Sequence, residues 1–282
     1  MKNLALMLCA VLASSLSFAQ MQTPQPSPSE KLTTMVGLTE VNIEYSRPSA
    51  RGRAIFGNLV PYGQVWRTGA NANTKVSFSD DVTIGDTTLK AGTYALYTKP
   101  GKENWDVMFY SDATNWGTPR KWDESKVAAT INVPAMQMPE PIKVETFSIM
   151  LDDLTNNGAN IGIMWSDIYV AIPFGVPTSA KAQKSIEAVM AGPSANDYFS
   201  AASYYYQEGL DMEKAKMWVD QAVEMRSEAF WMSRLQSLIY AKMGDKKGAI
   251  KAAKNSLAMA EKAGNADYVK MNKDSLKEWG AK

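Results

Sequence analysis

The sequence predicts an α+β protein of two domains: an antiparallel β-sandwich or partly closed barrel over residues 32–177, then an all-α set of helical hairpins over 178–282. Three observations carry this. The 282 residues exceed one ordinary domain and suit two. Between about 32 and 174, apolar and polar residues alternate in short runs with no helix-length segment between them, the period of strands covered on one face. After Pro177 the composition turns to Ala, Lys, Glu, Met, Gln and Leu with apolar residues three and four apart, which is the helical period.

At the start of the chain, MKNLALMLCAVLASSLSFAQ places one lysine before an apolar run and then Ser17, Phe18 and Ala19, so residues 1–19 read as a signal peptide cut after Ala19. The run from Leu4 to Leu16 is shorter than the roughly 18 residues a membrane span needs. The mature protein is therefore expected to be exported, periplasmic or extracellular, with no span. Cys9, the only cysteine, falls in the leader, so no disulfide is expected although the compartment would permit one. Residues 20–31, with Pro24, Pro26 and Pro28 among polar neighbours, predict a flexible lead-in.

Strands are expected at 41–45, 75–79, 81–84, 93–98, 105–110, 128–133, 144–151, 160–165 and 168–174. Gly85-Asp86, Pro100-Gly101 and Asn157-Gly158 supply the backbone freedom or fixed angle of tight reversals between them. Helices are expected at 179–191, 195–208, 211–226, 228–243, 246–263 and 266–279, with glycines at 192, 209, 244 and 264 marking their ends. MEKAKMWVDQAVEM (212–225) aligns with KKGAIKAAKNSLAM (246–259) at an offset of 34, pairing Ala215 with Ala249, Val219 with Ala253, Ala222 with Ser256 and Met225 with Met259. That period, with small residues where two helices must approach, resembles tetratricopeptide repeats.

Composition limits the chemistry. There is no histidine, which removes Ser-His-Asp and Cys-His nucleophile systems, His-ligated metals and imidazole proton transfer. A net charge of +1 gives no basis for a nucleic-acid partner. Neither cofactor nor metal is expected: DDLTNNGANIGIM spaces Asp153, Thr155, Asn157 and Gly158 like a calcium loop, but Met164 stands where the bidentate Glu belongs, so a hairpin is predicted. Asp80 with Asp81, and Asp152 with Asp153, are adjacent and so point to opposite faces of a strand, unsuited to flanking one glycosidic bond.

What remains is a set of binding candidates. Arg47, Arg51, Arg53 and Arg67 crowd into SRPSARGRAIFGNLVPYGQVWRTG, and guanidinium forks beside glycines suit a carboxylate, sulfate or phosphate. The same arginines could instead brace loops against carboxylates such as Asp80, Asp81, Asp152 or Asp153. Tyr62, Trp66 and Trp116 with the amides of Asn71, Asn73 and Asn115 could form a carbohydrate platform, whereas Trp105 and Trp165 alternate within strands and are expected in the core. In the helical half Tyr204, Tyr205 and Tyr206 are candidate protein contacts, of which only one or two can face inward on a helix.

VGLTEVNIEYSRPSARGRAIFGNLVPYGQVWRTGANANT, then KAGTYALYTKPGKENWDVMFY, DDLTNNGANIGIMW and VAIPF, closely resemble the bacterial envelope family catalogued as domain of unknown function 2911, over about residues 30–175. The resemblance implies an exported protein with a helical, repeat-like tail. It implies no role for the signature residues Arg47, Pro48, Gly52, Arg53, Tyr62, Gly63, Trp66, Arg67, Gly69, Ala70 and Asn71. The functional expectation is a non-catalytic binding protein whose β domain holds a small anionic or glycan ligand and whose helices hold a protein partner. The alternatives are a carboxylate-dependent hydrolase of cell-wall or polysaccharide material and a purely structural envelope protein.

Overall fold

The computed structural model describes residues 23–190 and 192–281. The expected signal peptide, its cut after Ala19 and Cys9 lie outside them. The chain divides between Thr178 and Ser179 into two compact units.

The first unit contains eleven strands: β1 (Ser29–Val36), β2 (Thr39–Ser46), β3 (Thr74–Phe78), β4 (Val82–Ile84), β5 (Thr87–Leu89), β6 (Gly92–Pro100), β7 (Asn104–Tyr110), β8 (Val127–Gln137), β9 (Val144–Asp152), β10 (Gly158–Ser166) and β11 (Ile168–Gly175). Their order is β1-β2-β3-β6-β7-β8-β11-β10-β9, with the short β4–β5 hairpin paired to β11. All neighbours are antiparallel. Every expected strand is present; β1 and β5 are additional.

The sheet turns back on itself. Just after β2 the chain runs beside the free edge of β9, where Ala50 N donates to Glu145 O (2.8 Å) and Phe147 N donates to Pro48 O (2.9 Å), and Ser49 bridges Thr146. This closes most of the edge that an open sheet would leave unpaired. Of the two predicted β architectures, the nearly closed barrel is the one formed. Val41, Ile43, Val76, Leu96, Val107, Phe109, Ile161, Ile163, Val170 and Ile172 fill its interior, each from the inward positions of an alternating strand. Trp105 and Trp165, each 1% exposed, lie in that core as their alternation predicts.

β1 begins at Ser29, inside the stretch expected to be a flexible lead-in. The reason is tertiary: Arg51 Nη2, Asn71 Nδ2 and Arg47 N donate to the carbonyls of Pro26 (3.1 Å), Ser27 (3.2 Å) and Pro28 (2.8 Å), which pins the proline segment. Asn157 and Gly158 lie at the β9–β10 hairpin, where Thr155 N donates to Gly158 O (2.8 Å), as expected of the sequence that superficially resembles a calcium loop.

The second unit is helical, with the chain running through α1 (Thr178–Val189), α2 (Ala195–Glu208), α3 (Met212–Met225), α4 (Phe230–Lys242), α5 (Lys246–Lys262) and α6 (Ala266–Glu278). Polar caps start the helices: Ser194 and Asp197 form a capping box on α2, and Asp211, Asp245 and Asn265 accept from first-turn amides of α3, α5 and α6. Gly209, at φ 65°, ends α2 in the left-handed conformation that glycine adopts without strain. Helix α2 packs on α3, α4 on α5, and α6 on α5. Ala215, Val219 and Ala222 on α3 and their offset partners Ala249, Ala253 and Ser256 on α5 are all fully buried, while Met225 is exposed.

Candidate ligand site

The clustered arginines separate into two groups. Arg47 reaches across to β9: Nε donates to Phe147 O (3.1 Å), Nη2 to Ser148 Oγ (2.7 Å), and Nη1 pairs with Glu30 (2.9 Å). Beside it Tyr45 Oη accepts from Ile149 N (2.9 Å) and donates to Glu30 Oε2 (2.7 Å). Together they satisfy polar groups of β9 that have no neighbouring strand, forming a side-chain clasp over the seam. Arg53 donates to Ala50 O (2.9 Å) and Ser49 O (2.7 Å), folding back on its own loop. Arg51 joins Pro26, and its backbone N donates to Glu145 Oε1 (2.7 Å). The carboxylates engaged are thus Glu30 and Glu145, not the Asp pairs weighed from the sequence.

Trp66 is half-buried, and its ring is taken up by packing. It stacks on Trp165 (6.0 Å, 18°) and meets Phe56, Trp105 and Phe147 edge to face, while Nε1 donates to Gly69 O (3.1 Å). This corrects its expected place in a carbohydrate platform: an indole surrounded by rings contributes apolar filling at this site. Tyr62 is 40% exposed, with its ring against Gly57, where an added Cβ would lie 2.6 Å from the ring. Gly57 also sits at φ 82°, so the close approach and the backbone both require glycine.

The other group gathers on the outer face. Arg67 Nη1 donates to Asn71 O (2.9 Å) and lies against Gly117, where an added Cβ would stand 2.7 Å from that nitrogen. Asn73 Nδ2 donates to Tyr97 Oη (3.3 Å), which donates to Gly117 O (2.8 Å). Burial pushes the Tyr97 hydroxyl up from its ordinary range, so it stays protonated as that donor. The turn holding Arg67, Asn71 and Asn73 is therefore fastened to the loop bearing Asn115 and Trp116. Trp116 projects with 78% of its surface exposed. Asn115 Nδ2 donates to Asp112 O (3.0 Å), bracing that loop from within.

Next to Asn73 is a cavity of about 420 Å³ lined by Ser29, Glu30, Lys31, Glu44, Tyr45, Ser46, Ala72, Asn73 and Lys75. Strand register builds it: Ser29 opposes Ser46, Lys31 opposes Glu44, and Glu44 opposes Lys75, so these residues point outward from three adjacent strands. Its charges are unequal. Glu44 is committed to Lys31 (2.9 Å) and Glu30 to Arg47, whereas Lys75 has no ion-pair partner among the described residues. Asn73, only 3% exposed, has an Oδ1 that makes no hydrogen bond. The cavity thus combines a free ammonium and two serine hydroxyls, with the Asn73 amide in its wall.

A family model described as "Protein of unknown function (DUF2911)" matches residues 27–174. The chain belongs to this family. Comparison with curated proteins and with solved structures finds no match. In this DUF2911 protein the matched stretch contains the whole clasp and the whole outer cavity, while the helices follow it.

Lys31, Lys75, Ser29 and Ser46 were not evident as site residues, although the alternation of KVSFS puts Lys75 on the side opposite Val76. A second cavity of about 370 Å³ lies by Asp112, Asn115, Lys121, Trp122, Asp123 and Lys126. There Lys126 and Thr114 hold the Asp112 carboxyl well below the usual carboxylate range. In the helical unit of the DUF2911 protein Tyr205 is buried edge-on against Trp218 (4.8 Å), which removes it from the expected contacts; Tyr204 and Tyr206 are half-buried.

Proposed function

We propose that this DUF2911 protein is an exported, non-catalytic binding protein. Its barrel takes a small anionic or glycan ligand in the outer cavity, and a sugar acid matches that chemistry best. A ligand carboxylate would meet the Lys75 ammonium, and Ser29 and Ser46 would read ligand hydroxyls. The observation that carries this reading is an uncommitted lysine that shares one cavity with two serines and the Asn73 amide of its wall. Exposed Trp116 adds an apolar face at the neighbouring loop for a longer saccharide. The helices, with their tetratricopeptide-like period, would engage a protein partner.

Carboxylate-dependent hydrolysis has less support. The two carboxylates that line the cavity are both engaged in ion pairs, Glu30 with Arg47 and Glu44 with Lys31. The test is a thermal-shift panel of sugar acids and their neutral counterparts with the full chain and Lys75→Met. Stabilisation by the acids alone, lost in the variant, is expected. An equal response to neutral sugars, or no response to any acid, would count against the proposal.

A further inference from the structure

In the helical unit Arg234 is half-buried on α4, and its one hydrogen bond to a side chain runs from Nη1 to Ser275 Oγ of α6 (2.9 Å). No carboxylate lies within ion-pairing distance among the described residues; Tyr206, Tyr268 and Glu278 act on it only through longer-range electrostatics. A guanidinium taken partly out of water is normally matched by an anion, because its desolvation is otherwise uncompensated. Burial accordingly holds the Arg234 guanidinium below its ordinary range. Trp231, Arg234, Leu238 and Ala241 are all half-buried at spacings of three, four and three, so they form one stripe along α4. Ten residues of helix extend roughly 15 Å, the length of four or five extended peptide residues. Lys242, whose ammonium lies 4.8 Å from the Tyr206 ring and donates to Tyr206 O, adds positive charge near the end of the stripe.

We propose that Arg234 receives a side-chain carboxylate of an acidic peptide segment laid along this stripe, with Trp231 and Leu238 taking its apolar side chains. Ser275 Oγ orients the guanidinium and leaves its remaining N–H donors for the two oxygens of the carboxylate. This names a partner chemistry for the helical unit and rests on the protein-partner reading above.

The experiment is fluorescence anisotropy of the full chain with a labelled decapeptide alternating Glu and Leu, and with the matching Gln-Leu peptide. Wild type should bind the Glu peptide about tenfold more tightly than the Gln peptide, with the difference shrinking as salt rises. Arg234→Met should abolish that preference, and Lys247→Gln, on the exposed part of α5, should keep it. Arg234→Lys, which retains charge and loses the fork, covers the case in which the Met variant does not fold; it should weaken the Glu peptide severalfold. Equal binding of both peptides by wild type, a preference that survives Arg234→Met, or no binding of the Glu peptide would overturn the assignment. Cross-linking of the intact chain to envelope proteins tests the broader partner reading separately, and a positive result there alongside any of these failures would leave that reading standing without Arg234.

Discussion

Arg47 Nη1 lies 2.9 Å from Glu30 Oε2, tying the first strand to the segment that closes the barrel. The same guanidinium also holds a carbonyl and a hydroxyl of β9, so one side chain spans the seam between the two ends of the strand order.

Arg47→Ala should therefore loosen the seam. Both members of the ion pair are about one-third exposed, which weakens their Coulomb attraction, but the hydrogen bonds to Phe147 O and Ser148 Oγ are also lost. A cost of about 2 kcal/mol is expected, read as a lower urea midpoint. An unchanged midpoint would show that the clasp contributes nothing to closure.

Trp66→Ala should act as a core truncation. Removing an indole that touches four other rings leaves a void that the barrel walls cannot fill, and a loss of about 3–5 kcal/mol follows. Thermal unfolding would show it as a large drop in Tm. A variant with the wild-type Tm and altered ligand response would return Trp66 to the binding surface.

The seam should also titrate at high pH. Burial, first, and the nearby Glu30 push Tyr45 up from 10.0 to about 12. A group whose folded pKa is raised contributes stability that is complete below its unfolded value and lost as pH climbs through the folded one. The contribution of Tyr45 should therefore decline between about pH 10 and 12. Comparing wild type with Tyr45→Phe by denaturant titration across that window isolates it: the variant starts less stable, because Ile149 N loses its acceptor, and the gap narrows with rising pH. A constant gap would contradict the assigned titration.

Much of this architecture was legible because it is local. Alternation located nine strands, and the helical period with glycines at 192, 209, 244 and 264 located the helices within a few residues. β1 was hidden behind prolines that read as mobile, and what orders them is Arg47, Arg51 and Asn71, donors distant in sequence. β5, Thr-Thr-Leu, has two exposed polar residues in succession and so shows no alternation. The motif arginines invited an external anion because their partners cannot be seen from the motif: Phe147 and Ser148 are about 100 residues from Arg47. The outer cavity was obscured for the same reason. Lys31, Glu44 and Lys75 meet only through the register of β1, β2 and β3.

The most direct measurement is calorimetric titration of the intact protein with a short uronic-acid oligosaccharide, repeated on Lys75→Met and on Trp116→Ala. Saturable heat in wild type that falls about tenfold in affinity with Lys75→Met, and less with Trp116→Ala, is the predicted result. Affinity unmoved by Lys75→Met, with both variants folded, would place the ligand elsewhere and contradict the account.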